Sequence, residues 1–390
     1  MPNSLAQQRV LVLHNRYRVP GGEERFAAGL TELLSRHAES AQLLEASSES
    51  LSRAGAGVAL VRGGLDVENV TDAVRSSGAT IVHAHNIHPA YGWRALKAAR
   101  EAGAAVVLHL HNYRLFCAIG TVFRDGADCT DCAPRRTWNG LLHNCRGSVA
   151  EAGAYAIGLA RSQQPLIENV DRFVAPVAQL AGDLGELGFD LPIDVVPSWL
   201  AASEFATQSS ARDGEYALYI GRLTVDKGLL VAIRAAAISG VPLRVAGVGP
   251  DYERARKLVE SEGAPVEFLG MISGQAIVAA RMGAAFALVP SLWREVLPLS
   301  ALESLAAGVP LLTSDRGGLP ELTEPDLVTP AGDAEALARA MRALFDDPDR
   351  RQVAGAAALA RANERFTESA FVERIGQTYA AASAARQVLV

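Results

Sequence analysis

Short β-branched and aliphatic runs alternate with amphipathic stretches of helical period through most of this chain, and that alternation restricts it to parallel α/β architecture. Parallel neighbours need a long crossover, and a helix is the usual one. The first half reads as strands at Arg9–His14, Gln42–Ala46, Thr80–Ala84, Val106–His111, Arg172–Ala175 and Asp194–Pro197, with helices that include Glu23–Ser35, Ala90–Ala102 and Ala150–Glu168. The second half reads as strands at Tyr216–Gly221, Leu243–Ala246, Val266–Leu269, Phe286–Val289, Pro310–Thr313 and Leu327–Thr329, closed by helices at Asp333–Phe345, Pro348–Arg365 and Glu368–Ala385.

Two sheets imply two domains, as a length of 390 residues also does. The N-terminal domain is expected at 1–197, carrying an insertion at 112–148 that has little apolar periodicity. The stretch 198–215 is polar and rich in small residues and reads as a linker. The C-terminal domain is expected at 216–367, with a last helix at 368–390 packing back on the first domain. A formal charge of −6 gives no broad basic field and argues against nucleic acid as a principal partner. The start, Met1-Pro-Asn-Ser-Leu, has no charged region leading into an apolar core, and no long uncharged apolar run follows, so a cytoplasmic protein is expected.

In open α/β sheets, ligands bind beyond the carboxyl ends of strands. Gly221 and Arg222 follow the strand from Tyr216, and Lys227-Gly228 comes five residues later. Two cations on one strand-to-helix connection suit a departing diphosphate; the alternative is solvated surface charge. Of 37 basic residues only Lys97, Lys227 and Lys257 are lysine, which singles out Lys227 mildly. Glu295 follows the strand ending at Val289, and Glu303 lies in the next helix, which Pro298 is expected to open at its first turn. Carboxylates accept hydrogen bonds from sugar hydroxyls, although either Glu alone could be a cap or a surface residue. Gly317-Gly318 and Glu321 follow a further strand. Near the N-terminus, Gly21-Gly22 precedes a helix whose bare amides could meet a diphosphate, or it is an ordinary flexible turn.

All eight histidines lie before residue 144; His83, His85 and His88 surround one strand end and His109 and His111 another. Each is either a cleft residue or a satisfied core imidazole. The four cysteines, Cys117, Cys129, Cys132 and Cys145, sit together in the insertion with one C-x-x-C pair. Their spacing fits a structural tetrahedral zinc, with reduced thiols or an oxidised pair as the alternatives, and no open position for a catalytic ion. Arg135, Arg136, Trp138, Leu141, Leu142 and Arg146 form a basic, partly apolar edge that is either a contact for anionic lipid or a solvated flap.

With these residues in hand, nearly the whole chain resembles the retaining glycosyltransferase family 4, whose GT-B architecture is two facing Rossmann-like domains with a cleft between them. The G-R-x-x-x-x-K-G element is matched by Gly221, Arg222, Lys227 and Gly228, and the E-x7-E element by Glu295 and Glu303. The resemblance implies that Arg222 and Lys227 grip the donor diphosphate, that Glu295 meets the transferred sugar and Glu303 the ribose, and that His111 lies near the donor sugar. Pro298, where the family carries a small Gly, and Leu299 fall in the same donor-binding set, as do Gly21 and Gly22. It also implies an acceptor-side N-terminal domain and a nucleotide-sugar-binding C-terminal one.

The function expected is transfer of a hexose-type sugar from a nucleoside-diphosphate sugar to an acceptor hydroxyl, with retention, no enzyme nucleophile and no catalytic metal. A lipid-linked glycan and a soluble small molecule are both open as acceptors, in bacterial polysaccharide or glycoconjugate synthesis. Sugar-nucleotide epimerisation on the same fold and a non-catalytic sugar-nucleotide-binding scaffold are the rival readings. Asp347-Pro348-Asp349 matches a metal-binding pattern by letters, but its place between two helices makes it a helix cap.

Overall fold

The computed structural model of the protein describes residues 4–18, 21–65 and 67–387, so the outermost residues of the expected segments 1–197 and 368–390 lie outside the described residues. The chain divides into two compact units. The first runs to Val122, resumes at Cys129 and continues to Val196, and takes in the chain from Phe371 onward; the second is Phe123–Asp128 with Pro197–Ala370.

Strands β1 (Arg9–Arg16), β2 (Ser40–Ser47), β3 (Ile81–Ala84) and β4 (Ala105–His109) of the first unit precede in sequence the short hairpin β5 (Phe123–Arg124) and β6 (Ala127–Asp128), which groups with the second. Strands β7 (Arg172–Ala175) and β8 (Ile193–Val195) complete a six-stranded parallel sheet in the order β2-β1-β3-β4-β7-β8. Here β1 lies between β2 and β3, the flavodoxin-like arrangement, and the switch point falls between β1 and β3. Buried on both faces, β3 and β4 are almost wholly apolar apart from their histidines, as a central parallel strand must be. The last helix, Glu368–Gln387, places Phe371, Ile375 and Tyr379 in this unit's core.

In the second unit, β9 (Tyr216–Ile220), β10 (Leu243–Ala246), β11 (Val266–Gly270), β12 (Ala284–Val289), β13 (Leu311–Ser314) and β14 (Val328–Thr329) pair in parallel in the order β11-β10-β9-β12-β13-β14. This is the order of dinucleotide-binding sheets, with its switch point between β9 and β12. Strand residues alternate between two cores, as a period of two requires. Ala217, Tyr219, Phe286 and Leu288 pack on one face with Leu229, Ile233 and Met341, while Leu218 and Ala287 pack on the other with Leu302, Leu305 and Phe366.

Three expectations are corrected. The segment 198–215 is packed structure rather than a free linker: Leu200 bridges to Thr367, the buried Ser209 hydroxyl donates to the Gly308 carbonyl at 2.6 Å, and the Ala206 amide donates to the Ala306 carbonyl. Polar small residues there satisfy buried backbone, which composition cannot distinguish from solvation. β4 ends at His109, not His111, because the chain turns into the Asn112–Arg114 bend. Within the insertion, 123–128 groups with the second unit, where Asp128 lies 3.2 Å from both Arg294 and Arg316.

Candidate functional site

The second unit gathers its motif residues where its strand order reverses. Gly228 holds φ at +72° after the single turn Val225–Lys227, and a β-carbon there would stand 1.8 Å from the Pro290 carbonyl oxygen. That contact lets the chain after β9 press against the chain after β12. The Leu292 amide then donates to the Asp226 carbonyl at 2.8 Å, tying the two loops. A third loop joins from β13: Gly317, at φ +57°, packs so closely that a β-carbon would lie 2.0 Å from the Glu295 carbonyl oxygen, and the Gly318 amide donates to that oxygen at 2.8 Å. The Ser314 hydroxyl donates to the Ser291 carbonyl at 2.6 Å.

These loops bring Lys227 and Glu295 together. The ammonium donates directly to Glu295 Oε1, which also accepts from the Ser291 hydroxyl at 2.7 Å. Glu295 is only 3% exposed, and Lys227 Nζ lies 5.0 Å from the centre of the Trp293 ring. The Tyr219 hydroxyl donates to the Arg222 carbonyl at 3.0 Å and bends the backbone just after Gly221, while the Arg222 side chain stays exposed. Burial, followed by the carboxylates of Glu295 and Asp226, raises the Tyr219 phenol far above its ordinary range, so it remains a neutral donor.

Glu303 sits one helix turn further in. Its carboxylate pairs with Arg281, at the end of the helix Gln275–Met282, both side chains nearly buried. Pro298 is the N-cap of the helix Leu299–Ala306 rather than its first residue, since its ψ of 124° is extended. Ser291, Trp293 and Arg281 carried no sequence signal: a serine, a tryptophan and a lone arginine have no diagnostic spacing.

In the first unit, Gly21 caps the helix Gly22–His37 as expected, but its amide is already taken by Glu24 Oε2 at 2.7 Å, and Glu24 Oε1 accepts from the Tyr17 amide at 2.9 Å. Burial works against the Glu24 carboxylate, yet those amide bonds and His14 outweigh it and hold it below the usual carboxylate range. The Gly21 amide thus already meets the protein's own anion. His111 borders a recess of about 50 Å³ lined also by Glu23, His85, His88, His109 and Arg114. Burial, the largest influence, lowers His111; Glu23 works in the opposite direction. Its Nε2 is 2.9 Å from His85 Nδ1.

The cysteines form no disulfide and are of intermediate burial. Burial first, and then Cys117, pushes Cys132 up to about 12. Asp347 is an N-cap whose carboxylate accepts from the Arg350 amide at 2.9 Å, with Pro348 opening the helix, so the D-P-D letters have a purely structural use. No helix among the described residues is long and apolar enough to cross a membrane.

Residues 202–361 match the family model described as glycosyl transferases group 1. A GDP-mannose-dependent alpha-(1-6)-phosphatidylinositol dimannoside mannosyltransferase of Mycobacterium tuberculosis is 36% identical over 138 residues, which is 34% of this chain and 36% of that protein. Glycogen synthase of the same species is 29% identical over 235 residues, 56% of each. The matches span between about a third and just over half the length of these relatives. Among solved structures, sucrose-phosphate synthase from Thermosynechococcus elongatus superposes with a TM-score of 0.70 at 18% identity, covering 98% of this chain and 99% of the other. Anabaena HepE in complex with UDP-glucose gives 0.67 at 15% identity, covering 96% and 100%. The fold is therefore that of the GT-B glycosyltransferases. The stretch that matches that family model, residues 202–361, is the one that holds Arg222, Lys227, Glu295 and Glu303.

Proposed function

We propose that the protein transfers a hexose-type sugar from a nucleoside-diphosphate sugar to an acceptor hydroxyl with retention of configuration. The observation that carries this reading is the Lys227–Glu295 pair at the switch point of the dinucleotide-type sheet. Lys227 supplies positive charge for the leaving diphosphate, with Arg222 beside it on the same connection, so the charge that grows on the departing phosphate is met by fixed cations. Glu295, held in place by Ser291 and Lys227, presents a carboxylate to the sugar hydroxyls. Glu303, braced by Arg281, serves the ribose hydroxyls. With the charge role filled by side chains, the reaction runs without a catalytic metal. In a same-face course the leaving phosphate oxygen takes the acceptor proton, and His111 lines the first unit's recess as a donor-sugar contact.

The acceptor is a lipid-linked glycan or a small molecule. Trp138 and Leu142, 54% and 66% exposed beside Arg135 and Arg136, supply a face for an anionic lipid surface at the inner side of a membrane. Structural zinc on Cys117, Cys129, Cys132 and Cys145 is a separate proposal, tested by zinc content before and after Cys129→Ser.

The test of function is incubation of the protein with radiolabelled UDP-, GDP- and dTDP-sugars, with and without glycan acceptors. Sugar moved to an acceptor with the anomeric configuration kept supports the reading. A changed sugar in donor alone favours epimerisation, and donor binding without turnover on any acceptor favours a scaffold.

A further inference from the structure

The switch point of the first unit holds a group of imidazoles that the proposed transfer reaction does not use. His83 on β3, His85 just beyond it and His109 at the end of β4 are all buried, and one ring nitrogen from each lies within 4.8 Å of the others. Among the described residues this is the one set of three or more His, Cys, Asp or Glu side chains that converges so closely.

The way the rings are held is more telling than their proximity. His83 Nδ1 is 2.8 Å from the Tyr379 hydroxyl, and His85 Nδ1 is 2.9 Å from His111 Nε2. In both rings that leaves Nε2, and neither Nε2 has a hydrogen-bond partner among the described residues. Neither nitrogen of His109 has one either. Buried polar atoms are normally satisfied, because an unpartnered one loses its hydration with no return. Four unpartnered nitrogens across three touching side chains therefore call for an occupant. Metal-binding histidines show the same division of labour: one ring nitrogen is fixed by an outer hydrogen bond so that the other faces the ion.

We propose that His83, His85 and His109 bind one transition-metal dication of the zinc class through ring nitrogens, with Tyr379 and His111 as the outer partners that orient His83 and His85. Imidazole nitrogen suits zinc, cobalt, nickel and copper, whereas magnesium and calcium require oxygen, and the trio contains no carboxylate. With metal–nitrogen bonds of about 2.0–2.1 Å, ligand atoms around a tetrahedral ion stand about 3.4 Å apart, within the 4.8 Å that the three ring nitrogens keep here. Three protein ligands leave a fourth position for water. The recess bordered by His85, His109 and His111 supplies an entry path. The site lies wholly in the first unit, and it is read out by metal binding rather than by sugar transfer.

The test uses the full chain, stripped with a chelator and given two equivalents of Co2+, so that the cysteines can take an ion of their own. X-ray absorption at the cobalt edge then reads the ligand atoms. The expected result is a nitrogen shell at about 2.0–2.1 Å with the outer scattering of imidazole rings. His109→Phe, which keeps a ring in the same space, removes that shell and leaves any sulfur shell intact. Tyr379→Phe weakens zinc about 10–100-fold in competition with a chelating dye, because it removes an outer partner. A wild-type spectrum without imidazole scattering overturns the proposal, as does an imidazole shell and zinc affinity that neither variant changes. Tyr379→Phe loses one hydroxyl only, so it remains informative if His109→Phe does not fold.

Discussion

Lys227 and Glu295, 68 positions apart in sequence, hydrogen-bond ammonium to carboxylate where the second sheet changes direction. Ser291 holds the same Glu295 oxygen from four residues away. The contact exists because Gly228 lets the β9 loop approach Pro290, and because Gly317 and Gly318 brace the backbone of Glu295 from the other side.

Removing either member should therefore strike turnover harder than folding. Lys227→Ala and Glu295→Ala should each lower kcat about 10²–10³-fold, the usual loss when one fixed charge aimed at a transition state is removed. Steady-state kinetics with the preferred donor, alongside circular dichroism to confirm folding, checks this. Turnover retained in both variants contradicts the assigned roles.

The Arg281–Glu303 pair gives a stability prediction. Both side chains are nearly buried, at 9% and 12% exposure, so Arg281→Met should cost about 3–5 kcal/mol by taking one charge from a desolvated pair. The double variant Arg281→Met/Glu303→Met should recover part of that loss. Urea denaturation of the four proteins measures the coupling. Equal losses that simply add would show that the two side chains do not depend on each other.

A glycine comparison separates backbone strain from close approach. Gly240 has φ +67° and nothing within 4 Å of an added β-carbon, so Gly240→Ala should cost about 1–2 kcal/mol from the left-handed conformation alone. Gly228→Ala adds a 1.8 Å clash with the Pro290 carbonyl and should lose more stability and nearly all activity. Urea midpoints and donor turnover on the two variants provide the comparison.

Acid should destabilise the protein partly through His88. Burial, and secondly Arg114, holds this ring down at about 4. A histidine in the unfolded chain titrates near 6.5, so between about pH 6.5 and 4 the unfolded state binds the extra proton. The contribution is complete above about 6.5 and is lost as pH falls towards 4. His88→Gln should flatten the stability slope in that window by about 1.4 kcal/mol per pH unit. An unchanged slope would remove His88 from the account.

Much of this was readable in the sequence for a physical reason. Hydrophobic runs with period two and 3.6 gave both sheets, because burial of parallel strands leaves no freedom in their composition. Gly221-Arg222, Lys227-Gly228 and Gly317-Gly318 were legible because tight strand-to-helix loops restrict residue type. Four features were not. Arg281 reaches Glu303 from another helix, and a pair made by tertiary folding leaves no local pattern. Ser209 is buried by its bond to the Gly308 carbonyl, so the stretch that looked like a linker is packed. At Gly21 the amide looked open, yet Glu24, three residues on, accepts its hydrogen bond. The order of the first sheet, with β1 between β2 and β3, was likewise beyond periodicity, which reports strands but not neighbours.

The central claim is that Lys227 and Glu295 form a donor-binding centre, and ligand-induced thermal stabilisation tests it most directly. A bound nucleoside diphosphate should raise the Tm of the wild-type protein progressively with concentration, by mass action on the folded state. For one of UDP, GDP or dTDP the account predicts a concentration-dependent rise that Lys227→Ala abolishes. No rise with any of the three, or the same rise in Lys227→Ala, would contradict it.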